Sequence, residues 1–141
     1  MSFQEQFKVK WADVDPYMHL RNTVYVDFAD QTRVAYFHSK GYDFKRFIEE
    51  GYGPVILKVT STYLKEVTLH ETISVDCRAA YISEDSTRWV IIHQVFKENR
   101  SLAATIRVEG GFLDLSKRKL TSPHEDVKDI MAAMDRSDDY L

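Results

Sequence analysis

Two carboxylates, an imidazole and an amide crowd into one short run near the start of the chain. The run reads Asp13-Val14-Asp15-Pro16-Tyr17-Met18-His19-Leu20-Arg21-Asn22-Thr23-Val24-Tyr25. Pro16 follows an alternating segment and precedes a helical one, so these groups share a single strand-to-helix turn. The N-terminus of a helix offers unpaired N–H groups and partial positive charge, which suit a developing oxyanion. A carboxylate just upstream supplies a nucleophile or a general base. The chemistry this combination suits is attack on a carbonyl.

The elements around that turn follow from periodicity. Phe3, Phe7, Val9 and Trp11 alternate with Gln4, Gln6, Lys8 and Lys10, which predicts a half-buried strand. From about residue 20 to 39 the period lengthens: Val24, Tyr25, Phe28, Thr32, Ala35 and Tyr36 recur at three- and four-residue steps. This predicts a long, substantially buried helix ended by Gly41. A short helix is expected over 43–50, capped by Asp43 and stopped by Gly51. Four β segments follow, over 55–65, 72–82, 87–97 and 101–115. The third is apolar on both faces and so central. The fourth carries Gly110-Gly111, which predicts a bulge or a close backbone approach. Ser122-Pro123-His124-Glu125 reads as a capping box opening a terminal helix, and the acidic tail from Asp135 to Leu141 is expected to fray. One strand, one long helix and four antiparallel strands make an α+β layout, a five-stranded antiparallel sheet wrapped around the helix. The outer edges of such a sheet call for a second subunit.

The 141 residues fit one domain, with a core over 1–121 and the terminal helix and tail over 122–141. At 44% hydrophobic the chain fills a core without disulfides. A net charge of −3 argues against nucleic acid or an anionic membrane as partner. Cys77 is the only cysteine, which excludes a disulfide scaffold or cysteine zinc site within one chain, and it falls on an apolar strand face as a packing residue. His38, His70, His93 and His124 are dispersed, so no metal site is expected. The polar first residues lack the apolar stretch of a signal peptide, and no apolar run is long enough to span a bilayer. A cytoplasmic location is expected. Neither a Gly-x-Ser-x-Gly elbow nor a Gly-rich phosphate loop is present.

The order of elements, together with the first motif, resembles the hotdog-fold acyl-CoA thioesterases, in the subgroup of 4-hydroxybenzoyl-CoA thioesterase. Their signature, Asp-x-Asp, a short loop often with a His, then Asn-x-x-Tyr opening the central helix, reads here as Asp13-Val14-Asp15, His19 and Asn22-Thr23-Val24-Tyr25. Tyr63-Leu64-Lys65, followed by Glu71-Thr72-Ile73-Ser74-Val75, is similar to the family's strand-turn-strand segment. The resemblance covers residues 3–121. It implies hydrolysis of acyl-CoA, a long helix lying in a concave sheet, a homodimer or homotetramer with the site where subunits meet, and no cofactor beyond the coenzyme A of the substrate. By position it makes Asp15 the catalytic carboxylate and gives the backbone N–H at Asn22 the task of polarising the thioester carbonyl. The family usually has Gly three residues after that Asp. Met18 stands there instead, adding bulk where the loop passes the acyl group, which bears on substrate range and on activity.

Each residue also has a plainer reading. Asp before Pro is common in turns; in the full motif Asp15 is read as catalytic. Asp13 is read as bonding loop amides. His19 is read as ordering the loop beside the site rather than as a base. Asn22 serves as helix cap and presents the N–H, and Tyr25 is core or pocket wall. Tyr17, Met18, His19, Asn22 and Tyr25 are thus the expected substrate-binding residues. Asp30, on the long helix where related subgroups carry an acid, is read as part of a salt bridge. Lys117-Arg118-Lys119 is a solvated turn or a clamp for CoA phosphates. Aromatics such as Tyr17, Phe28, Tyr36 and Trp89 suit an aliphatic or an aryl pocket equally. Two other functions fit less closely: a non-catalytic acyl-thioester binder or structural oligomer with Met18 filling the site, and a hydratase of the same fold, which resembles a different Asp/His motif. A cone-shaped α+β pocket fold is the alternative architecture, disfavoured because there helices precede the sheet.

Overall fold

A computed structural model describes residues 3–140. Met1, Ser2 and Leu141, the ends of the predicted polar N-terminus and acidic tail, lie outside the described residues. Strand β1 (Gln4–Lys8) leads through a 3-10 turn at Trp11–Asp13 to helix α1 (Asn22–Ser39). Then come α2 (Lys45–Glu50), β2 (Tyr52–Tyr63), β3 (Thr72–Asp76), β4 (Arg78–Ile82), β5 (Arg88–Phe96), β6 (Leu102–Asp114), β7 (Lys119–Leu120) and α3 (Glu125–Ala132). The strands form one antiparallel sheet in the order β1-β3-β5-β6-β2, with β4 added to β5 and β7 to β6.

Helix α1 buries Val24, Tyr25, Phe28, Ala29, Thr32, Arg33, Tyr36 and Phe37, a stripe at three- and four-residue spacing. That stripe packs into a core completed by the inner faces of β3, β5 and β6, so the curled sheet wraps the helix. The helix stops at Lys40, and Gly41 takes a left-handed φ of +82°. Strand β5 is central, as its apolar faces predict. It sits between β3 and β6 and sends Trp89, Ile91, His93 and Val95 inward. Gly110 lies opposite Trp89 in the β5–β6 register; a Cβ there would stand 2.6 Å from the indole Cζ2 and against the Val55 carbonyl. The close approach read from Gly110-Gly111 is therefore real, and the indole occupies the space a side chain would need.

Several expectations are corrected. The segment 72–82 is broken at Cys77 into two strands. The cause is Asp76, which is fully buried: its Oδ1 accepts the Gln94 N–H at 2.5 Å and its Oδ2 accepts Arg78 Nε at 3.0 Å. A side chain has taken the amide of the neighbouring strand. Cys77 is buried in the break, with Sγ 3.8 Å from Met134 Sδ. Trp11 is not on a strand face; it is 69% exposed on the 3-10 turn, where Asp13 Oδ2 accepts the Lys10 N–H at 2.9 Å and ends β1. The capping box does not form, because Ser122 Oγ donates to the Asp85 carbonyl at 2.5 Å and His124 precedes α3. Nor does the tail fray at its start: Ala79 N–H donates to Asp135 O and Ser137 N–H to Ala79 O, both at 2.8 Å, which ties it along β4.

One polar chain crosses the helix–sheet interface. Arg33 on α1 lies 2.9 Å from His93 Nε2, and His93 Nδ1 lies 2.7 Å from the Asp76 carbonyl oxygen. A guanidinium only donates, so Nε2 accepts and the imidazole proton sits on Nδ1, donating to Asp76 O. Burial, then the Arg33 charge, lower the His93 pKa to about 3.

A three-residue hairpin joins the 3-10 turn to α1. Asp15 N–H donates to His19 O and Met18 N–H to Asp15 O, both at 2.9 Å, and Val14 bridges Leu20. Three-residue hairpin loops commonly end in a left-handed residue. The left-handed residue is Met18, at φ +66°. Leu69 N–H on Met18 O (3.2 Å) and Leu20 N–H on Val67 O (2.7 Å) hold the hairpin to the segment after β2.

The buried imidazole makes stability depend on pH. An unfolded-chain His takes up its proton near pH 6.5, whereas folded His93 stays neutral down to about pH 3. The folded protein is thus destabilised as pH falls below 6.5, by about 1.4 kcal/mol per pH unit relative to His93→Gln. Urea unfolding of both proteins between pH 7 and pH 4.5 measures this, and parallel pH slopes would contradict it. A Cβ in the left-handed region costs about 1 kcal/mol, so Met18→Gly should raise the urea midpoint by up to that amount; a lowered midpoint would contradict the strain.

Candidate active site

The hairpin, the start of α1 and the end of β2 enclose a cleft of about 330 Å³. Asp15, His19, Leu20, Asn22 and Tyr25 line one wall, and Tyr63, Leu64, Lys65 and Glu66 the other. Four of the six site residues expected from sequence are thereby brought together. Tyr17 and Met18 are not: they stand at the hairpin tip, 79% and 43% exposed, outside the cleft wall.

Asp15 is held by its own loop. Its Oδ1 accepts the N–H of Tyr17 at 2.8 Å and of His19 at 3.2 Å. Both bonds fall on Oδ1, so Oδ2 is the oxygen left for a ligand. His19 Nε2 lies 3.2 Å from Glu66 Oε2 and joins the two walls. The Asp13 side chain bonds one amide, that of Lys10, and its carbonyl accepts the Arg21 N–H at 2.8 Å.

The helix start departs from expectation in one respect. Arg21, not Asn22, is the capping residue, with φ −70° and ψ 140°. The reason is the hairpin, which holds Arg21 extended through its N–H and through a guanidinium bond to Ala12 O at 3.1 Å. Asn22 is then the first residue inside the helix. No side chain among the described residues caps α1. Of the first-turn amides, Val24 N–H donates to the Arg21 carbonyl at 3.0 Å, while those of Asn22 and Thr23 have no partner among the described residues and lie at the positive end of the dipole.

The far wall carries one aromatic ring and one charge of each sign, Tyr63, Lys65 and Glu66. Tyr63 Oη donates to the Asn22 carbonyl at 3.4 Å, and its ring meets Tyr25 edge-on at 5.1 Å. Burial, with Tyr63 and Glu71 nearby, pushes the Tyr25 hydroxyl up to about 12, so it stays neutral. Sequence reasoning missed Tyr63, Leu64, Lys65 and Glu66 as site residues. The signal available was the Tyr63-Leu64-Lys65 run, placed at the end of a β segment with no indication that it faced the helix start. Asp30 pairs with Arg33 on α1, and Lys117-Arg118-Lys119 turns from β6 into β7 without lining the cleft. Among the described residues, no cluster of His, Cys, Asp and Glu is placed to hold a metal ion, and no helix is long and apolar enough to cross a membrane.

Comparison with known proteins places this geometry. The sequence pattern of the thioesterase-like superfamily matches residues 9–131. No curated protein matches. Among solved structures, SAV2348 from Staphylococcus aureus, in complex with CoA, is similar at TM-score 0.85 and 20% identity, over 94% of this chain and 82% of that one. Slr0204, a 1,4-dihydroxy-2-naphthoyl-CoA thioesterase from Synechocystis, is similar at TM-score 0.86 and 13% identity, over 97% and 100%. A DHNA-CoA thioesterase from Staphylococcus aureus gives 0.81 and 18%, over 92% and 90%. With a family match over most of its length and a curled antiparallel sheet around one long helix, this chain belongs to the thioesterase-like superfamily, in the hotdog fold.

Proposed function

We propose that this chain hydrolyses acyl-CoA thioesters to the free acid and coenzyme A in the cytoplasm, with Asp15 as nucleophile or general base. The observation that carries the reading is the meeting of Asp15 and the uncapped start of α1 in one cleft. The thioester carbonyl lies against the amides at Asn22, whose N–H groups stabilise the oxyanion; one such donor contributes about 3 kcal/mol. In the nucleophilic route the Asp15 carboxylate adds to the carbonyl and the tetrahedral intermediate expels coenzyme A thiolate. Water then hydrolyses the mixed anhydride and restores the carboxylate. In the general-base route Asp15 takes a proton from the attacking water. His19 and Glu66 hold the cleft's two walls at a fixed spacing, and no cofactor is needed beyond the coenzyme A of the substrate. The CoA complex of SAV2348 and the aryl-CoA activities of the similar proteins favour CoA as carrier.

We further propose that β2 is covered by a second copy of the chain. It is one edge of the sheet, and it exposes Ile56, Leu57, Val59 and Tyr63. A long apolar edge is a template for strand pairing.

Asp15→Asn keeps the Oδ1 acceptor that orders the hairpin and removes the charge. Thiol release from a panel of short, medium, long and aryl acyl-CoAs should fall at least a hundredfold in this variant, with the circular dichroism of the folded protein retained. Near-normal release would rule out the assignment. Single turnover in ¹⁸O-water separates the routes, since label enters the Asp15 side chain only in the nucleophilic one. Light scattering should give a mass at least twice that of the chain, falling toward one chain in the Leu57→Lys, Val59→Lys double variant; a monomeric unsubstituted protein would overturn the pairing.

A further inference from the structure

The segment 64–71 carries the chain from β2 to β3, and its first residues form the far wall of the cleft. Backbone bonds tie it on three sides. Leu64 and Lys65 N–H donate to the Ala103 carbonyl at 2.7 and 3.0 Å, the Val67 carbonyl accepts the Leu20 N–H, and the Glu71 carbonyl accepts the Val9 N–H at 2.9 Å. Glu66 lies between the first two of these ties, and it makes the contact that spans the cleft, to His19. The Glu66 side chain is 73% exposed. An exposed ion pair is weak and costs side-chain entropy to hold. That pair alone therefore does not place Glu66; the backbone beneath it must be held by something else.

Lys97 supplies the hold. It opens the turn from β5 to β6 and does not line the cleft. Its ammonium donates to the Glu66 carbonyl and, at 3.1 Å, to Glu71 Oε2. The Lys97 and Glu71 side chains are only 18% and 14% exposed, so this pair is far better shielded from solvent and salt than the one across the cleft. The same Glu71 Oε2 accepts the Thr68 N–H at 3.2 Å, and Thr68 pairs with His19 as a β-bridge. Both arms of the ammonium thus end at His19. One runs through the carboxylate of Glu66, the other through Glu71 and the Thr68 backbone. His19 N–H is in turn one of the two donors on Asp15 Oδ1.

We propose that Lys97 is a positioning residue for the hydrolysis: its ammonium sets Glu66 and Thr68, these set His19, and His19 orients the Asp15 carboxylate toward the thioester carbonyl. This rests on the thioester reading above. Lys97 itself touches neither the substrate nor the reacting atoms.

The test is Lys97→Met, which keeps the apolar stem and removes the donors. Misplacing a reacting group by about 1 Å costs up to roughly a hundredfold in rate. The kcat for the best acyl-CoA should therefore fall about tenfold or more. KM should stay close to that of the unsubstituted protein, because the Asn22 amide and Tyr63 are not bonded to Lys97 or its partners. A kcat unchanged in a folded variant, or a loss carried by KM alone, would overturn the proposal and leave Lys97 a brace of the fold. A second readout needs no turnover. The chain has five histidines, and the imidazole ¹⁵N signal of His19 is identified by its absence in His19→Gln. That signal should move in Lys97→Met in the direction it moves in Glu66→Gln; an unmoved signal would overturn the proposal. Glu71→Gln, which strips Lys97 of its counter-charge, covers the case in which Lys97→Met does not fold. Its kcat should fall and its His19 signal should move, and a failure of either would overturn the proposal. If the unsubstituted protein releases thiol from no acyl-CoA, the thioesterase reading fails, and a His19 signal that moves in the Lys97 variant still supports the bracing of His19.

Discussion

Among the described residues, no side chain bonds the first-turn amides of α1, and the chain around them is arranged to keep them so. The residue in the capping position is Arg21, whose long side chain turns away to the Ala12 carbonyl while its backbone is tied to Asp13. A Ser, Thr, Asp or Asn there would close back onto the amides and contribute about 1 kcal/mol to the helix. That stabilisation is forgone. It is offset by the eight side chains α1 buries in the curl of the sheet, which hold the helix whether or not its end is capped. The donors are thus left at a cleft, at the positive end of the helix dipole, and the Asp15 carboxylate lines the same cleft.

Positioning those donors is a task for the whole domain. The helix is fixed along its length by apolar packing, and its midpoint is pinned by the Arg33–His93–Asp76 chain, which runs through α1, β5 and the end of β3. The same Asp76 takes the Gln94 amide and breaks the 72–82 segment into β3 and β4, so that break and the seat of the helix share one residue. At the other end the hairpin accepts a left-handed Met18 so that Asp15 can bond two amides at once. Burial elsewhere supplies the free energy that these local concessions consume.

Much of this was legible in the sequence. The helix was visible in the three- and four-residue recurrence from Val24 to Tyr36, the central strand in the apolar run around Ile91, and the close approach in Gly110-Gly111. The site's first half was legible too, because Asp15, His19 and Asn22 are neighbours in the chain and a turn must gather them. What escaped depends on contacts between distant residues. The break at Cys77 needs the Asp76 side chain to meet Gln94 across the sheet, and periodicity within 72–82 carries no trace of it. Ser122 looked like a cap until Asp85, far away in sequence, claimed its hydroxyl. The second wall of the cleft, Tyr63 to Glu66, is set by where β2 ends relative to the helix start, which only the sheet register decides.

The central claim is that the start of α1 polarises a thioester carbonyl, and the carbonyl reports on this itself. The decisive measurement is the isotope-edited infrared spectrum of a ¹³C=O acyl-CoA bound to the slow Asp15→Asn protein. Two amide donors at a helix N-terminus should move the carbonyl stretch to lower frequency than the same thioester shows in water. A stretch at or above its frequency in water, with the ligand shown to be bound, would contradict the account.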